Sequence, residues 1–324
     1  MINFATIGTN WITESFINGT LVNNDLKLAA VYSRNLDNAK TFADKFAINL
    51  CFDDLEALSK CDEVEAVYIA SPNSLHFEQA LLMLENGKHV ICEKPLASHF
   101  QQVEKLYQAA IDNNVILYEA YKTAQLPNFK QIKENISELG KLRKAHIHYC
   151  QYSSRYQRYL DGEIPNTFNP EFSNGSIMDI GYYCIAFTVA LFGKPKRIQA
   201  DAIILGSGVD GCGAVLLTYD GFSVTIDHSK ISRSEQVSEI QGEEGNLLIK
   251  GISVLDDVTL VTDSIRDLTL PQEQDQMSYE ASFFAEQIKQ GVINDEAMLQ
   301  AKNTSEVITE IRRLTGVNFP ADDI

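Results

Sequence analysis

A chain of 324 residues with 45% hydrophobic and 22% charged residues has the composition of an ordinary globular protein and excludes a disordered or fibrous one. The formal net charge of -17 argues against nucleic acid and anionic membranes as partners, because both would repel this protein. The N-terminus lacks a signal peptide's basic region and apolar core, and no apolar run reaches the roughly 20 residues that span a bilayer. We therefore expect a cytoplasmic protein, with two domains at about 150 residues each.

The six cysteines are scattered along the chain. They form no CxxC pair, and no histidine is spaced as a second ligand. The sequence therefore predicts neither a disulfide framework nor a metal site, only reduced thiols.

The first 120 residues alternate strand-like and helix-like patterns. The strand-like runs lie at 2–8, 27–34, 65–72, 88–93 and 115–121, and the helical patterns at 10–21, 35–47, 73–87 and 99–114. Repeated βα units predict a doubly wound parallel sheet of the Rossmann type, in which ligands bind beyond the carboxyl ends of the strands.

The pattern changes after residue 121. Strand-length runs separated by Gly, Asp and Asn turns predict a mostly antiparallel sheet, and helical segments at 279–291 and 299–316 close the chain. We predict an α/β protein with a nucleotide-binding domain at 1–120 and a substrate-binding and oligomerisation domain at 121–324.

The first strand is followed by "IGTNWI", where a dinucleotide-binding fold would carry GxGxxG. Gly8 can supply the tight turn, and Asn10, which tolerates a positive φ, stands at the second glycine position. A turn feeding a helix N-terminus offers backbone N–H groups to a pyrophosphate. The alternative is a plain turn. The predicted cofactor contacts here are Gly8, Thr9, Asn10, Trp11 and Ile12.

The second strand ends in Ser33 and Arg34, where NAD-binding proteins usually carry an acidic residue. A hydroxyl and a guanidinium suit the 2′-phosphate of NADP, so we predict NADP(H) over NAD(H). Alternatively, Arg34 is a solvated charge that caps the next helix.

Four motifs resemble the glucose–fructose oxidoreductase / inositol dehydrogenase / MocA family over nearly the whole chain. They are "ASPNSLH" (70–76), "GKHVICEKPLA" (87–97), "YEAYKTAQLP" (118–127) and "NGSIMDIGYYCI" (174–185). The resemblance implies a Rossmann domain followed by an α+β domain with a large, open, mostly antiparallel sheet. In such proteins that sheet often forms a dimer interface, so we expect a homodimer through it.

The resemblance implies that Lys94 of the EKP motif projects beside the nicotinamide, and that Pro95 commonly follows a cis peptide bond. An ammonium there can hold a substrate hydroxyl and help a neighbouring acid lose its proton. The alternative is a structural salt bridge between Glu93 and Lys94.

The family's second catalytic position, the last residue of DxGxH or DxGxY, is Tyr183 here, after Asp179. A phenol with a pKa of about 10 must be acidified to act as a base, and a nearby Lys94 cation would do so. The i to i+4 spacing predicts Asp179 and Tyr183 on one helical face, where both could reach one substrate. Tyr182 is expected to be a core residue.

By the same resemblance, cofactor-lining residues follow the strand that ends near residue 70. These are Ser71, Pro72, Asn73 and His76, together with Glu93. His76 has an alternative as a helix residue packed against the turn. The family often has an arginine and a histidine where this chain has Ala124 and Leu126, which puts a transfer of substrate specificity in doubt.

The loop 151–172 is rich in Tyr, Arg and Asn, as polar recognition of a sugar or polyol would require. We predict Arg155 and Asn166 as substrate contacts; alternatively, Arg155 and Arg158 are solvated loop charges.

Together these features predict an NAD(P)-dependent oxidoreductase acting on CH–OH groups, which transfers a hydride between the nicotinamide and a small sugar, cyclitol or diol. An alternative is a catalytically silent NADP(H)-binding regulator, which the altered glycine turn and the missing arginine would suit. A third possibility is an enzyme that keeps its cofactor tightly bound and oxidises one sugar while reducing another.

Overall fold

The computed structural model describes residues 1–323. Its strands are β1 (Ile2–Ile7), β2 (Leu26–Tyr32), β3 (Leu50–Phe52), β4 (Ala66–Ile69), β5 (His89–Glu93), β6 (Leu117–Ala120), β7 (Leu142–Cys150), β8 (Arg197–Ile204), β9 (Asp210–Thr218), β10 (Ser223–Ser229), β11 (Ser238–Gly242), β12 (Asn246–Lys250), β13 (Asp257–Val261) and β14 (Ile265–Asp267). Its α-helices are α1 (Trp11–Asn23), α2 (Leu36–Asp44), α3 (Leu55–Ser59), α4 (His76–Glu85), α5 (Phe100–Asp112), α6 (Pro127–Asn135), α7 (Tyr156–Leu160), α8 (Tyr182–Phe192), α9 (Met277–Gln290) and α10 (Asp295–Thr315). A π-helix, Ile177–Gly181, runs directly into α8.

The first sheet is parallel throughout, with the strand order β3-β2-β1-β4-β5-β6. This confirms the predicted doubly wound sheet. The order of winding reverses between β1 and β4, where Ile7 pairs with Ile69. Ligands bind outside the carboxyl ends of the strands at such a reversal, which here is formed by Gly8 after β1 and Ser71 after β4.

The chain divides into two compact units. The first comprises residues 1–122 and 273–301, and the second comprises 123–272 and 302–324. The structure therefore differs from the division at residue 120 into two continuous segments. The reason is that α9, although distant in sequence, packs with the first unit.

Helix α9 lies against α1 of the same unit. Phe284 of α9 is fully buried in a core that also contains Phe16 and Met277. The helices approach closely because Gly19 has no side chain: a Cβ there would lie 2.8 Å from the backbone nitrogen of Ser278. Only the tertiary contact explains a glycine inside a helix, where it costs about 1 kcal/mol relative to alanine.

The second sheet has the order β14-β13-β12-β11-β7-β10-β9-β8 and is antiparallel except for the parallel pair β7 and β10. This confirms the predicted, mostly antiparallel sheet. Ile147 of β7 and Ile226 of β10 are neighbours and are fully buried on the face that α8 covers. On the opposite face, His146 Nε2 lies 2.8 Å from Asp227 Oδ2. The alternation of apolar and polar side chains thus assigns one face to the core.

The segment 170–192 is long and apolar enough to cross a membrane by length and composition. This corrects the expectation that no run approaches that length. However, 72% of its apolar window is buried within the protein, and Cys184, Ile185 and Phe187 are fully buried. A helix so enclosed by its own unit has the properties of a core helix.

All six cysteines are free thiols. Burial raises the pKa of Cys92 and of Cys184 well above the ordinary value, which makes these two thiols poor nucleophiles. Among residues 1–323, no cluster of three or more His, Cys, Asp or Glu side chains is placed to hold a metal ion.

Candidate cofactor and catalytic site

The turn after β1 requires a glycine. Gly8 has a φ of +116°, and a Cβ on it would lie 2.8 Å from the carbonyl oxygen of Ala70. Its N–H donates to the carbonyl of Tyr32 at 3.3 Å, so the turn is tied to the ends of both neighbouring strands. The absence of a side chain also leaves the backbone open to close approach by a phosphate.

Asn10 acts as a helix cap and does not use the positive φ that asparagine tolerates. Its φ is -94°, and its Oδ1 accepts hydrogen bonds from Ile12 N at 3.0 Å and Thr13 N at 3.1 Å. Its Nδ2 donates to the carbonyl of Ala70 at 2.8 Å. Because the Ile12 N–H is already bonded, a pyrophosphate would meet the preceding N–H groups, those of Thr9, Asn10 and Trp11. The cofactor contact at Ile12 stays a prediction.

The end of β2 presents Arg34 to solvent. The Ser33 N–H donates to the carbonyl of Phe52 at 3.1 Å, which fixes the chain there. Arg34 does not cap α2, because that role belongs to Asn35, whose Oδ1 accepts from Asp37 N at 2.9 Å. The exposed guanidinium thus stands next to the strand end where a dinucleotide's ribose is bound in this architecture.

Lys94 follows β5 directly, and the Lys94–Pro95 peptide bond is cis, as the resemblance implied. The next residues are anchored on two sides. The Leu96 N–H donates to Glu119 Oε1 at 2.8 Å, and the Pro95 carbonyl lies 2.9 Å from His76 Nδ1. These bonds fix the backbone around Lys94 at the carboxyl edge of the parallel sheet.

His76 joins two loops, in keeping with its alternative role as a helix residue packed against the turn, while its contact with the cofactor stays a prediction. Its Nε2 lies 2.9 Å from the Ser71 carbonyl, and its Nδ1 contacts Pro95, so both ring nitrogens are engaged. Burial lowers the pKa of His76, against the opposing effect of these carbonyls. The Ser71 hydroxyl is directed away as well, since it donates to Gln79 Oε1 at 2.6 Å.

Pro72 and Asn73 lie between these braced residues. Asn73 begins a 3₁₀ helix, Asn73–Leu75, just past the end of β4. Both residues are half-buried at the reversal point of the sheet, and their contact with the cofactor stays a prediction.

A buried charged cluster, which sequence reasoning missed, lies behind Lys94 in the first unit. Glu93 Oε1 accepts from the Tyr68 hydroxyl at 2.7 Å, and Lys122 Nζ donates to Gln276 Oε1 at 3.0 Å. Burial raises the pKa of Glu93 and lowers that of Lys122. Burial and the Glu93 charge raise the pKa of Glu280, which is 1% exposed, well above its ordinary value. Glu93 therefore belongs to this cluster beneath the site.

Asp179 and Tyr183 lie in the second unit. Asp179 is part of the π-helix and Tyr183 of α8, so the helix between them is not regular. The predicted position of the two side chains on one helical face stays a prediction. The expected difference between the tyrosines is present: Tyr182 is 1% exposed, whereas Tyr183 is partly exposed.

Lys230, immediately after β10, forms an ion pair with Asp179. Sequence reasoning missed this residue. The signal was available in "TIDHSK", a strand that ends in a lysine as the EKP strand does. Its partner, 51 residues away, could not be read from the sequence.

Buried polar side chains form hydrogen bonds with the residues at the start of the π-helix. Asp210 Oδ2 accepts from Ile177 N at 2.8 Å, and His228 Nδ1 lies 2.8 Å from the Ser176 hydroxyl. Burial raises the pKa of Asp210 to about 6 and lowers that of His228 to about 4. Both side chains are therefore neutral between about pH 4 and pH 6. They contact the first residues of the helical segment that carries Asp179.

Tyr183 lies close to a polar cavity of about 590 Å³ within the second unit. The cavity is lined by residues 148–152, 233–236 and 249–254, among others. Tyr149, one of the lining residues, contacts the Tyr183 ring with centroids 6.0 Å apart and an interplanar angle of 60°. A small polar molecule could therefore be accommodated beside the Tyr149 ring.

The two predicted loop contacts differ in their surroundings. Arg155 Nη1 donates to Thr167 Oγ1 at 2.8 Å, so part of its guanidinium holds the loop together. Asn166 is exposed at the start of a 3₁₀ helix, Asn166–Phe168. Stacked rings stiffen this loop, with Tyr156 and Tyr159 at 5.9 Å and nearly parallel.

Comparison with known proteins identifies the class. Residues 2–121 match the family described as "Oxidoreductase family, NAD-binding Rossmann fold", and residues 129–248 match the "GFO/IDH/MocA C-terminal domain". The chain is 52% identical over 326 residues to the uncharacterized oxidoreductase YgjR of Escherichia coli K12, covering 100% of this chain and 99% of that protein. It is 44% identical to the NADP⁺-dependent scyllo-inositol 2-dehydrogenase IolU of Bacillus subtilis, covering 99% of each.

The fold is likewise shared with a solved structure, that of KijD10, a 3-ketoreductase from Actinomadura kijaniata in complex with NADP. The TM-score is 0.87 at 22% identity, covering 97% of this chain and 98% of that one. The protein is thus an NAD(P)-dependent oxidoreductase with a Rossmann domain, whose relatives are dehydrogenases and reductases acting on hydroxyl groups. It belongs to the Gfo/Idh/MocA family.

Proposed function

We propose that this oxidoreductase uses NADP(H) and acts on a small polyhydroxylated substrate, a sugar, cyclitol or diol. The observation that carries the proposal is Lys94, anchored on both sides at the carboxyl edge of the parallel sheet, next to the reversal point that holds Gly8. The naming of relatives for scyllo-inositol and for trans-1,2-dihydrobenzene-1,2-diol supports this substrate class.

The residues of the first unit fit a dinucleotide. The turn at Gly8 has no side chain to block a pyrophosphate, and the first N–H groups of α1 face the same turn. The exposed guanidinium of Arg34, just past the end of β2, supports a contact with the 2′-phosphate. The half-buried Asn73, just past the end of β4, supports a contact with the ribose or the nicotinamide amide. When bound, the cofactor accepts or supplies a hydride at nicotinamide C4.

In the oxidation of a secondary alcohol, the carbon–hydrogen bond breaks and its electron pair leaves with the hydride. The hydroxyl proton passes to the Tyr183 phenolate while the carbon–oxygen double bond forms. Lys94 donates a hydrogen bond to that oxygen and stabilises the developing negative charge. In the reduction, Tyr183 returns the proton and the other movements reverse.

The test is a steady-state assay of NADP⁺ and NAD⁺ reduction with scyllo-inositol, myo-inositol, glucose and trans-cyclohexane-1,2-diol. Lys94→Met should lower kcat by about 10²- to 10⁴-fold, the range for losing a positioned acid–base or electrostatic group. NADPH binding should persist, as measured through the chain's single tryptophan, Trp11. Lys60→Met, which removes an exposed lysine paired with Glu56, is the matched control.

Tyr183→Phe should likewise lower kcat by about 10²- to 10⁴-fold. Tyr219→Phe is its control, because Tyr219 follows β9 at the end of the sheet opposite Lys230, and its hydroxyl bonds the Gly193 carbonyl. Unchanged turnover in Lys94→Met would contradict the proposal. NADPH binding without hydride transfer across the whole panel would instead favour the silent regulator.

We further propose a cytoplasmic location and a homodimer formed through the open face of the second sheet. That face carries His146 and Asp227, whose neighbours along β7 and β10 are buried, and Gln199, an exposed residue of β8. Light scattering should give twice the mass of the 36.2 kDa chain, and a monomer at micromolar concentration would refute the dimer.

A further inference from the structure

Lys230 is an unusual lysine because its charge is buried. Only 7% of its side chain is exposed, whereas the side chain of its partner, Asp179, is 37% exposed. The backbone of Lys230 is fixed on both sides: its N–H donates to the Gly211 carbonyl at 2.9 Å, and its carbonyl accepts from Ser153 N at 2.8 Å. The lysine is therefore part of the rigid end of β10.

The arrangement differs from that of surface ion pairs in the same unit. The side chains of Lys194 and Lys196 are 47% and 66% exposed in their pairs with Glu306 and Asp220. Burying an ammonium is unfavourable unless a partner compensates for its lost hydration. In the Lys230 pair the ammonium is buried and the carboxylate of Asp179 is partly exposed. A molecule that binds next to the π-helix would therefore meet the carboxylate and not the ammonium.

We propose that Lys230 is a positioning residue for the reaction, which keeps Asp179 ionised and aims its carboxylate at a substrate hydroxyl beside the one that reacts. The inference rests on the proposed function. It also specifies the substrate at that position: a carboxylate accepts from a hydroxyl and repels a second carboxylate or a phosphate. A neutral diol or polyol fits, and an acidic sugar derivative is excluded there.

Lys230 reaches Asp179 from the end of β10 and forms an ion pair with it. The strand side chains that share the covered face with Lys230 follow from the register of β7 and β10. Titratable groups there and at the adjoining ends of β9 and α8 include Tyr149, His228, Asp210, Tyr182, Tyr183 and Cys184. Asp210 and His228 serve the N-terminal end of the π-helix, at Ser176 and Ile177.

A purely structural ion pair would also be disturbed by mutation, so the test needs measurements that separate the two roles. Four variants serve: Lys230→Met, Lys230→Gln, Asp179→Asn, and the double variant Asp179→Asn with Lys230→Met. Lys196→Met is the control, as it removes an exposed lysine at the far end of the same sheet. Each is measured for kcat/KM against pH, for NADPH binding through Trp11 fluorescence, and for thermal melting.

Lys230→Met should lower kcat/KM for the polyol about 10- to 100-fold, the equivalent of one hydrogen bond between charged groups. NADPH affinity should not change. The acidic limb of the kcat/KM profile should move up by about one pH unit, because loss of the cation makes Asp179 easier to protonate. Lys230→Met should cost nothing further in the Asp179→Asn background, since Lys230 acts through Asp179.

Asp179→Asn should also melt earlier than the double variant, since it alone leaves a buried ammonium without its anion. Wild-type kcat/KM and an unmoved acidic limb in Lys230→Met, or in Lys230→Gln if the first variant fails to fold, would overturn the inference and leave the proposed function intact. A wild-type protein that turns over no polyol would overturn the proposed function, and the inference with it.

Discussion

Asn10→Ala separates two contributions of one side chain. The alanine removes the cap from Ile12 and Thr13, which is typically worth about 1 kcal/mol. It also removes the 2.8 Å hydrogen bond from Nδ2 to the Ala70 carbonyl, worth about 1 kcal/mol more. The first unit should therefore lose about 2 kcal/mol of unfolding free energy, or about 4–8 °C in melting temperature for a unit of this size.

Asn35→Ala is the matched control. Asn35 caps α2 in the same way, through hydrogen bonds to Asp37 N at 2.9 Å and Asn38 N at 3.1 Å, so its loss should cost only the cap, about 1 kcal/mol. Urea denaturation followed by the fluorescence of Trp11 suits both variants, because the single tryptophan lies in the first unit and reports its unfolding.

Substitution of Asn10 also tests whether the turn after β1 needs a side chain at this position to bind the cofactor. Asn10→Gly should keep most of the capping free energy and bind NADPH at least as tightly as the wild type, since it frees the Ile12 and Thr13 N–H groups. An Asn10→Ala variant no less stable than Asn35→Ala would refute the value given to the Ala70 bond. A tenfold weaker binding of NADPH by a folded Asn10→Gly variant would refute the view that the turn needs no side chain there.

Three further predictions concern charge and backbone. Arg34→Ala should weaken NADPH binding about tenfold or more without affecting NADH, and an unchanged ratio of the two dissociation constants would rule out its contact with the 2′-phosphate. Gly8→Ala should lower both the melting temperature and the NADPH affinity, because its Cβ would press on the Ala70 carbonyl. His228 has a pKa of about 4 in the folded protein against an ordinary value of 6.5, so its contribution to the stability of the fold is lost as the pH falls from 6.5 to 4. Asp210 has a pKa of about 6 against 3.8, so its contribution increases as the pH falls over nearly the same window. Asp210→Asn removes this compensation, so between pH 7 and 4 the variant should lose about 2.4 kcal/mol more unfolding free energy than the wild type. Melting temperatures that fall equally with pH in both proteins would disprove this linkage.

Local patterns predicted the parallel sheet and several of its strand ends. Gly8 and Lys94 were found because a buried strand that ends in a glycine, or in charges followed by proline, is a feature of a few neighbouring residues. The same reasoning missed the short strands β3 and β14, because three residues carry too little periodicity to be recognised.

The roles of individual residues were harder to predict than their positions. His76 and Asn10 lie where the sequence indicated, yet their side chains bind the carbonyls of Pro95, Ser71 and Ala70. A hydrogen-bonding side chain next to a ligand site has two possible uses, to touch the ligand or to brace the loop, and the motif is the same for both.

The sequence by itself determined the family, the order of the elements and the candidate catalytic residues Lys94 and Tyr183, because each depends on neighbouring residues. The tertiary structure decided which distant groups meet. It joined α9 to the first unit, buried Glu280 in the charged cluster behind Lys94, and paired Asp179 with Lys230. Such pairings depend on strand order and packing, which bring together residues far apart along the chain. The role of a buried charge follows from the partner that offsets the cost of its burial, and that partner is known only from the folded structure.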